Sequence, residues 1–336
     1  MSLNSLPAAA VGLSESQALA NAIAQHAGLA LLPIEERTFE GGEFKLRPLE
    51  SVRGRELFVI QSLAATEDAP TPLRLVRLLF LLQGLRDAGA RTRTVLLPYF
   101  AFARKDRRTQ IRDPVSARYV AELLESVGTG CLISLDVHNS AAFDNAFRIP
   151  TIHLSALPML VEHFLLRLPG TDAFTVVSPD VGGIKRAQIF RELLAARSGR
   201  NIGLAFVEKR RARGMVSGGV LAGDIAGQPA IVLDDLCATG GTLVRAAASC
   251  REHGATAVHV AVTHAPLRAG LVSLTAAQWI TSITLTDSVG AALAIPPADS
   301  AAQRITTLPI GALFGQTVRR MLSGEPVAPL LERWSD

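Results

Sequence analysis

Short apolar runs and amphipathic stretches alternate along most of the chain. The runs ELFVIQS, TRTVLLPYF, CLISLDVH, AFTVVSPD, NIGLAFVEK, AIVLDDL, AVHVAVTHA and SITLTDS are rich in β-branched residues and mostly unbroken by charge. Strands buried on both faces of a parallel sheet read this way, without strict apolar-polar alternation. Between them, PLRLVRLLFLLQGLRDAG, VSARYVAELLESVG, GGIKRAQIFRELLAARSG and TGGTLVRAAASCREHGA form amphipathic segments that read as helices. The alternation occurs twice, with a joint between Pro150 and Leu157. It predicts an α/β protein of two doubly wound, mostly parallel-sheet domains, over residues 1–152 and 153–311. A last helix within 312–336 is expected to return to the first domain. Near the start, SESQALANAIAQHAG reads as a capped helix, with Ser14 as N-cap, Gln17 three residues on and Gly28 closing it.

Composition supports this class. Of 336 residues, 49% are hydrophobic but only 5% aromatic, which suits α/β layers better than a β-sandwich. The net charge of +4 is modest, and the basic residues cluster in ARKDRRTQIR and EKRRARG. Such clusters point to anionic ligands, and without interleaved aromatic residues they make no platform for single-stranded nucleic acid. The three cysteines form no CxxC pair, which fits reduced thiols and a cytoplasmic location. LRLVRLLFLLQGLRDAG is interrupted by Arg77 and too short to span a bilayer, and the first residues lack a signal peptide's basic start. Neither a nucleic-acid nor a membrane partner is expected.

The sharpest chemical signal is IVLDDLCATGGT: strand, acids, loop, helix. Backbone N–H groups of a small-residue loop at a helix N-terminus cradle an anion, here with Gly240 and Gly241 admitting close approach and Thr239 and Thr242 adding hydroxyls. Asp234 and Asp235 would repel that anion, so they must face something else, sugar hydroxyls or a metal ion. Ribose 5-phosphate satisfies both halves of the motif. The plainer reading is a helix start flanked by solvated acids, but strand plus DD plus TGGT is more specific than a GG-T loop alone.

Other polar residues also fall after strands, where α/β sheets bind ligands. His138 ends CLISLDVH, though a lone histidine at a sheet rim is usually structural. Asp180 in SPDVGG reads equally as the cap of a helix starting at Gly182. Arg104, Lys105, Arg107 and Arg108 follow TRTVLLPYF as a dense positive cluster, which elsewhere would be a solvated loop. EKRRARGMVSGG reads as a basic, mobile loop, or as a surface hairpin with solvated charges. FEGGE reads as a Gly-Gly turn beside a core Phe39.

VLDDLCATGGT resembles the phosphoribosyl-diphosphate-binding motif of the phosphoribosyltransferase superfamily. FEGGEFKLRPLESVRGRELFVIQS, LLPYFAFARKDRR, SLDVHNSAAFDNAF, VVSPDVGGIKRA, EKRR, VTHAPLRAG and LTDS resemble one branch of it, the ribose-phosphate pyrophosphokinases, across nearly the whole chain. The resemblance implies two domains of phosphoribosyltransferase type and transfer of the β,γ-diphosphoryl group of Mg-ATP to the 1-hydroxyl of ribose 5-phosphate. It implies that Lys209 and Arg211 act on the transferring group, and that Phe39, Glu43, Arg104, Lys105 and His138 bind ATP. His138 and Asp180 would hold Mg2+. Asp234, Asp235, Thr239, Gly240, Gly241 and Thr242 would bind the sugar phosphate. Phe39 would stack on a neighbouring subunit's adenine, in a homo-oligomer of dimers assembled into hexamers.

The pattern also departs from the family. Ala238 stands where an Asp is usual, Gly41 where an Asp or Asn helps hold adenine, and Lys105 where a Gln contacts ATP. RRTQIRDPVSAR is short where many bacterial members carry an allosteric loop. Ala238 and Gly41 leave open a weakly active or regulatory paralogue, or a shifted pentose phosphate substrate. A purine phosphoribosyltransferase would fit DDLCATGGT, but not RKDRR, the second α/β half or the chain length.

Overall fold

Parallel strands flanked by helices build two sheets, and each sheet belongs to its own unit of the chain. The computed structural model describes residues 7–66, 69–168, 173–212, 215–290 and 302–331, with the backbone alone over 209–219.

The first unit comprises Met1–Leu154, Ser288–Ala292 and Pro309–Glu332. Its strands are β1 (Ala9–Gly12), β2 (Ala30–Leu32), β3 (Ile34–Thr38), β4 (Phe44–Pro48), β5 (Glu56–Ile60), β6 (Thr92–Leu97), β7 (Cys131–Leu135) and β8 (Thr151–Leu154). Six of them form a parallel sheet in the order β2-β1-β5-β6-β7-β8, while β3 and β4 pair as an antiparallel hairpin. Its helices are α1 (Gln17–Ala27), α2 (Thr71–Asp87), α3 (Ser116–Ser126), α4 (Ser140–Ala146), α9 (Gly311–Ser323) and α10 (Ala328–Leu331). Helix α9 packs on α1, where Gly311 and Gly315 face Ala22 and His26. The core lies between the sheet and its helices, around Leu57, Val59, Leu78, Leu82, Val95 and Leu132.

Two features of this unit differ from the sequence-based expectation. Ser14 does not cap α1. It opens a 3-10 turn (Ser14–Ser16), and its backbone N–H and hydroxyl donate to the Glu36 carboxylate at 2.7 and 2.9 Å. Helix α1 starts at Gln17 and ends, as expected, at Gly28 in a left-handed conformation, φ 73°. The apolar helix α2 also turns two arginines inward. Arg74 is 1% exposed and donates to the Ser62 carbonyl at 2.9 Å; Arg77 pairs with Glu15 at 2.6 Å and with Glu36. Buried guanidinium groups need such partners, and these tie the β3–β4 hairpin and the start of α1 to α2.

The second unit comprises Ser155–Asp287, Leu293–Leu308 and Arg333–Asp336. It contains β9 (Ala173–Ser178), β10 (Asn201–Ala212), β11 (Met215–Ala222), β12 (Ala230–Leu236), β13 (Val258–His264), β14 (Ser282–Thr286) and β15 (Ile305–Leu308). Its helices are α5 (Leu157–Arg167), α6 (Ile184–Ser198), α7 (Gly241–Glu252) and α8 (Arg268–Ala276). The sheet order is β11-β10-β9-β12-β13-β14-β15, parallel except for β10–β11. Every residue of β13 and β14 is buried, the polar His259, Thr263, His264, Ser282, Thr284 and Thr286 included. The segments EKRRA and MVSGG are not an irregular loop: β10 runs through Ala212 and pairs antiparallel with β11, with a register shift between Lys209 and Arg211.

Cys237 and Cys250 are buried, Cys131 is half-buried, and all three are free thiols. Burial pushes Cys131 up to about 11 and the other two to about 12, so they behave as packing residues. No helix among the described residues is long and apolar enough to cross a membrane.

His259 of β13 is 4% exposed; its Nδ1 bonds the Ser282 hydroxyl at 2.7 Å and its Nε2 has no partner. Burial, then the nearby Arg167 and His163, lower its pKa to about 4. The unfolded chain therefore binds an extra proton between that value and the ordinary 6.5 of histidine. The contribution of His259 is complete above pH 6.5 and is lost as pH falls toward 4, by on the order of 3 kcal/mol. Urea unfolding across this window should show that slope, and His259→Leu should flatten it. An unchanged slope in the variant would contradict the assignment.

Candidate active site

In the second sheet the chain runs from β9 outward to β10 in one direction, and β12 continues in the other. The carboxyl ends of β9 and β12 therefore flank a topological switch point, where open α/β sheets bind ligands. The turn after β9 carries Asp180, and β12 ends in Asp234-Asp235-Leu236.

The acids are not solvated. The Asp234 and Asp235 side chains are 21% and 6% exposed, and Arg186 of α6 reaches both with Nη1, at 3.5 and 3.0 Å. Asp234 Oδ1 also accepts the Asp235 N–H at 2.9 Å. Desolvation, then the adjacent Asp235 carboxylate, hold Asp234 well above the ordinary carboxylate range, against the pull of Arg186. Arg186 lies inside the segment VVSPDVGGIKRA, but nothing in the sequence singles it out. Its partners are 48 and 49 residues away.

Beyond the acids the chain stays fastened to the neighbouring strand, since Cys237 N–H donates to His264 O at 2.8 Å. It then turns through Ala238 and Thr239 to Gly240, which enters α7 at φ 79°. A Cβ on Gly240 would stand 2.7 Å from Gly270 O. A Cβ on Gly270, in α8, would stand 2.6 Å from Ala238 O and 2.8 Å from Cys237 Sγ. The loop and the first turn of α8 thus approach backbone to backbone, and the VTHAPLRAG segment supports the loop. No side chain caps α7. The exposed Thr239 and the half-buried Thr242 flank this uncapped helix start.

Asp180 Oδ1 accepts the Gly182 N–H at 3.0 Å, and so caps the 3-10 turn Val181–Gly183 ahead of α6. Lys209 and Arg211 lie on β10; their side chains are outside the described residues.

The first unit holds the remaining candidates. His138 is exposed after β7, in a turn set by Asp136 at φ 35° and by His153, whose Nε2 accepts the Val137 N–H at 3.0 Å. Asn139, next to it, donates to Asp106 at 2.8 Å and so brings the ARKDRR loop alongside. Arg104 is exposed. Lys105 is engaged elsewhere: Nζ pairs with Asp113 Oδ2 at 2.7 Å and meets Thr109 Oγ1 at 3.2 Å. That same Asp113 oxygen accepts from Thr109 N, Thr109 Oγ1 and Gln110 N. Lys105 first, and then Thr109, hold the Asp113 carboxyl well below its ordinary range. Phe39 and Glu43 stand at the tip of the β3–β4 hairpin. Phe39 is 40% exposed with the Arg37 guanidinium 4.8 Å from its ring centre, so it is not a core residue. A hairpin tip lies beyond the reach of the core below it.

The acid pair and its loop generate two expected outcomes. Because Asp234 is held above its ordinary range, the folded chain loses stability as pH rises through its raised pKa. Asp234→Asn should therefore melt above the parent at pH 8, with the gap closing as pH falls toward 4; equal melting throughout would refute the burial of charge. Gly270→Ala should cost roughly 1–3 kcal/mol by forcing α8 away from Ala238, read as a lower melting temperature. A parental melting temperature would show that the loop yields freely.

Residues 9–128 match the N-terminal domain of ribose phosphate pyrophosphokinase, and residues 161–292 the phosphoribosyl transferase domain. A ribose-phosphate pyrophosphokinase of Hyphomonas neptunium is 36% identical over 96% of this chain and 99% of its own length. One from Caldanaerobacter subterraneus is 34% identical over 93% and 94%. The crystal structure of phosphoribosylpyrophosphate synthetase from Mycobacterium smegmatis superposes with a TM-score of 0.82 at 28% identity, covering 95% of this chain and all of that one. Two phosphoribosyltransferase-type α/β units in this order, matched along nearly their full length, make the chain a member of the ribose-phosphate pyrophosphokinase family.

Proposed function

We propose that this chain transfers the diphosphoryl group of ATP to the 1-hydroxyl of ribose 5-phosphate. The 1-hydroxyl oxygen attacks the β-phosphorus, the bond to the α,β-bridging oxygen breaks, and AMP leaves. The observation that carries this reading is the succession at the end of β12: two carboxylates, then an amide-lined loop opening α7. The loop of Thr239, Gly240, Gly241 and Thr242 suits the sugar's 5-phosphate. Asp234 and Asp235 suit its ring hydroxyls, with Arg186 neutralising the pair while the sugar is absent. Lys209 and Arg211 are assigned to the charge that develops on the transferring group, where fixed cations lower the barrier.

The first unit is assigned to the nucleotide. Arg104 is exposed and not held by an acid in the way Lys105 is held by Asp113, so Arg104 is the stronger phosphate contact of the two. His138, Phe39 and Glu43 complete that side. The exposure of Phe39 at a hairpin tip supports stacking on a nucleotide held by a second copy, in a homo-oligomer. Among the described residues no group of three His, Cys, Asp or Glu side chains could cage a metal ion. Within its own unit, exposed His138 or half-buried Asp180 could each offer a single ligand to Mg2+ that keeps water and substrate phosphate oxygens as its other ligands. When bound, the ion would neutralise charge on the ATP phosphates. Free, buried thiols fit a cytoplasmic enzyme.

AMP formation from Mg-ATP should require ribose 5-phosphate and cease when the metal is chelated. Lys209→Ala should lower kcat about 100- to 1,000-fold with substrate KM values nearly retained. AMP release without the sugar, or a Lys209→Ala rate equal to the parent's, would overturn the assignment. A panel of other pentose phosphates in the same assay tests whether Ala238 shifts the sugar preference.

A further inference from the structure

Arg245 lies in the second turn of α7, yet its guanidinium folds back over the first. Nη2 is 3.4 Å from Thr242 Oγ1, and Nη1 is 3.3 Å from where a Cβ on Gly241 would stand. Helical side chains lean toward the N-terminus, so the direction alone is ordinary. The electrostatics are not. The start of a helix carries about half a positive charge, which disfavours a cation there. Among the described residues no acidic side chain pairs with Arg245, and the residue is exposed. A full positive charge is thus held against the positive end of α7, over the loop read above as the sugar-phosphate site.

The geometry points to Arg245 as a further ligand of the anion bound in the TGGT loop, closing a charged clamp over a phosphate monoester. This assignment rests on the reading of that loop as the sugar-phosphate site. A guanidinium offers parallel N–H donors to two oxygens of one phosphate, which hydroxyls and amides of the loop cannot do from above. The two glycines then have different tasks. Gly240 is required by the backbone of α8 at 2.7 Å, whereas Gly241 leaves room for the Arg245 side chain. An anion also turns the unfavourable placement into a favourable one, since it meets helix dipole and guanidinium together.

The test uses the full chain and the variants Arg245→Ala and Arg245→Lys. Ribose 5-phosphate and inorganic phosphate are titrated calorimetrically, and KM values are measured in AMP formation. Loss of one charge-assisted contact should weaken ribose 5-phosphate roughly 10- to 100-fold in Arg245→Ala. Inorganic phosphate should weaken likewise, and the KM for ATP should not follow. Arg245→Lys should recover part of the affinity as a point charge. A melting temperature equal to the parent's separates lost binding from lost folding. Parental ribose 5-phosphate affinity in Arg245→Ala overturns the assignment, as does an equal loss for ATP. Arg245-dependent sugar binding without AMP formation would uphold the clamp and refute the proposed reaction. AMP formation with an unaltered sugar KM in Arg245→Ala would do the reverse.

Discussion

Two carboxylates on consecutive residues, at the end of a strand walled in on both faces, are an electrostatic liability. Desolvation first, and then the neighbouring Asp235 carboxylate, raise the proton affinity of Asp234. The arrangement holds because Arg186 reaches both from α6 and because the chain is fastened at once to β13 through Cys237 and His264. A desolvated acid pair with a perturbed proton affinity is commoner at functional sites than in structural contacts.

Around that pair the second unit is organised by close backbone approach more than by side chains. Gly240 and Gly270 let α8 press against the loop, and the loop in turn presents the N-terminus of α7. The consequence is a cradle whose shape is set by main-chain atoms and whose charge is set by arginines reaching in from α6 and α7. Shape and charge can therefore vary separately.

The first unit uses a different device. Its basic loop is not a loose array of charges. Asp113 gathers Lys105, Thr109 and Gln110, while Asp106 is held by Asn139 beside His138. Lys105 and Asp113 form one interaction, an internal ion pair that turns the ammonium toward its own loop. Inward-turned Arg74 and Arg77 do comparable work beneath the β3–β4 hairpin, whose tip presents Phe39.

The class of fold and the succession of strands and helices along the chain were legible in the sequence because both are encoded locally. A strand covered on both faces must be apolar over five to seven residues, and the helix that follows must carry a 3.6-residue period. DDLCATGGT was legible for the same reason, since acids, small residues and helix start are contiguous. The short edge strands β2, β8 and β15 carry too few residues for a pattern, and EKRRARG lacks the apolar residues that announce a strand. Only the tertiary structure decided which charges are neutralised and by what. Arg186 meets Asp235 across 49 residues and Arg77 meets Glu36 across 41, pairings that depend on strand order and on the face a helix turns inward. Ser14, a capping residue by its local pattern, goes to Glu36 because a half-buried carboxylate, charged and held by Arg77, is the stronger acceptor. Periodicity reports the face on which a residue lies, but not what the fold brings against it.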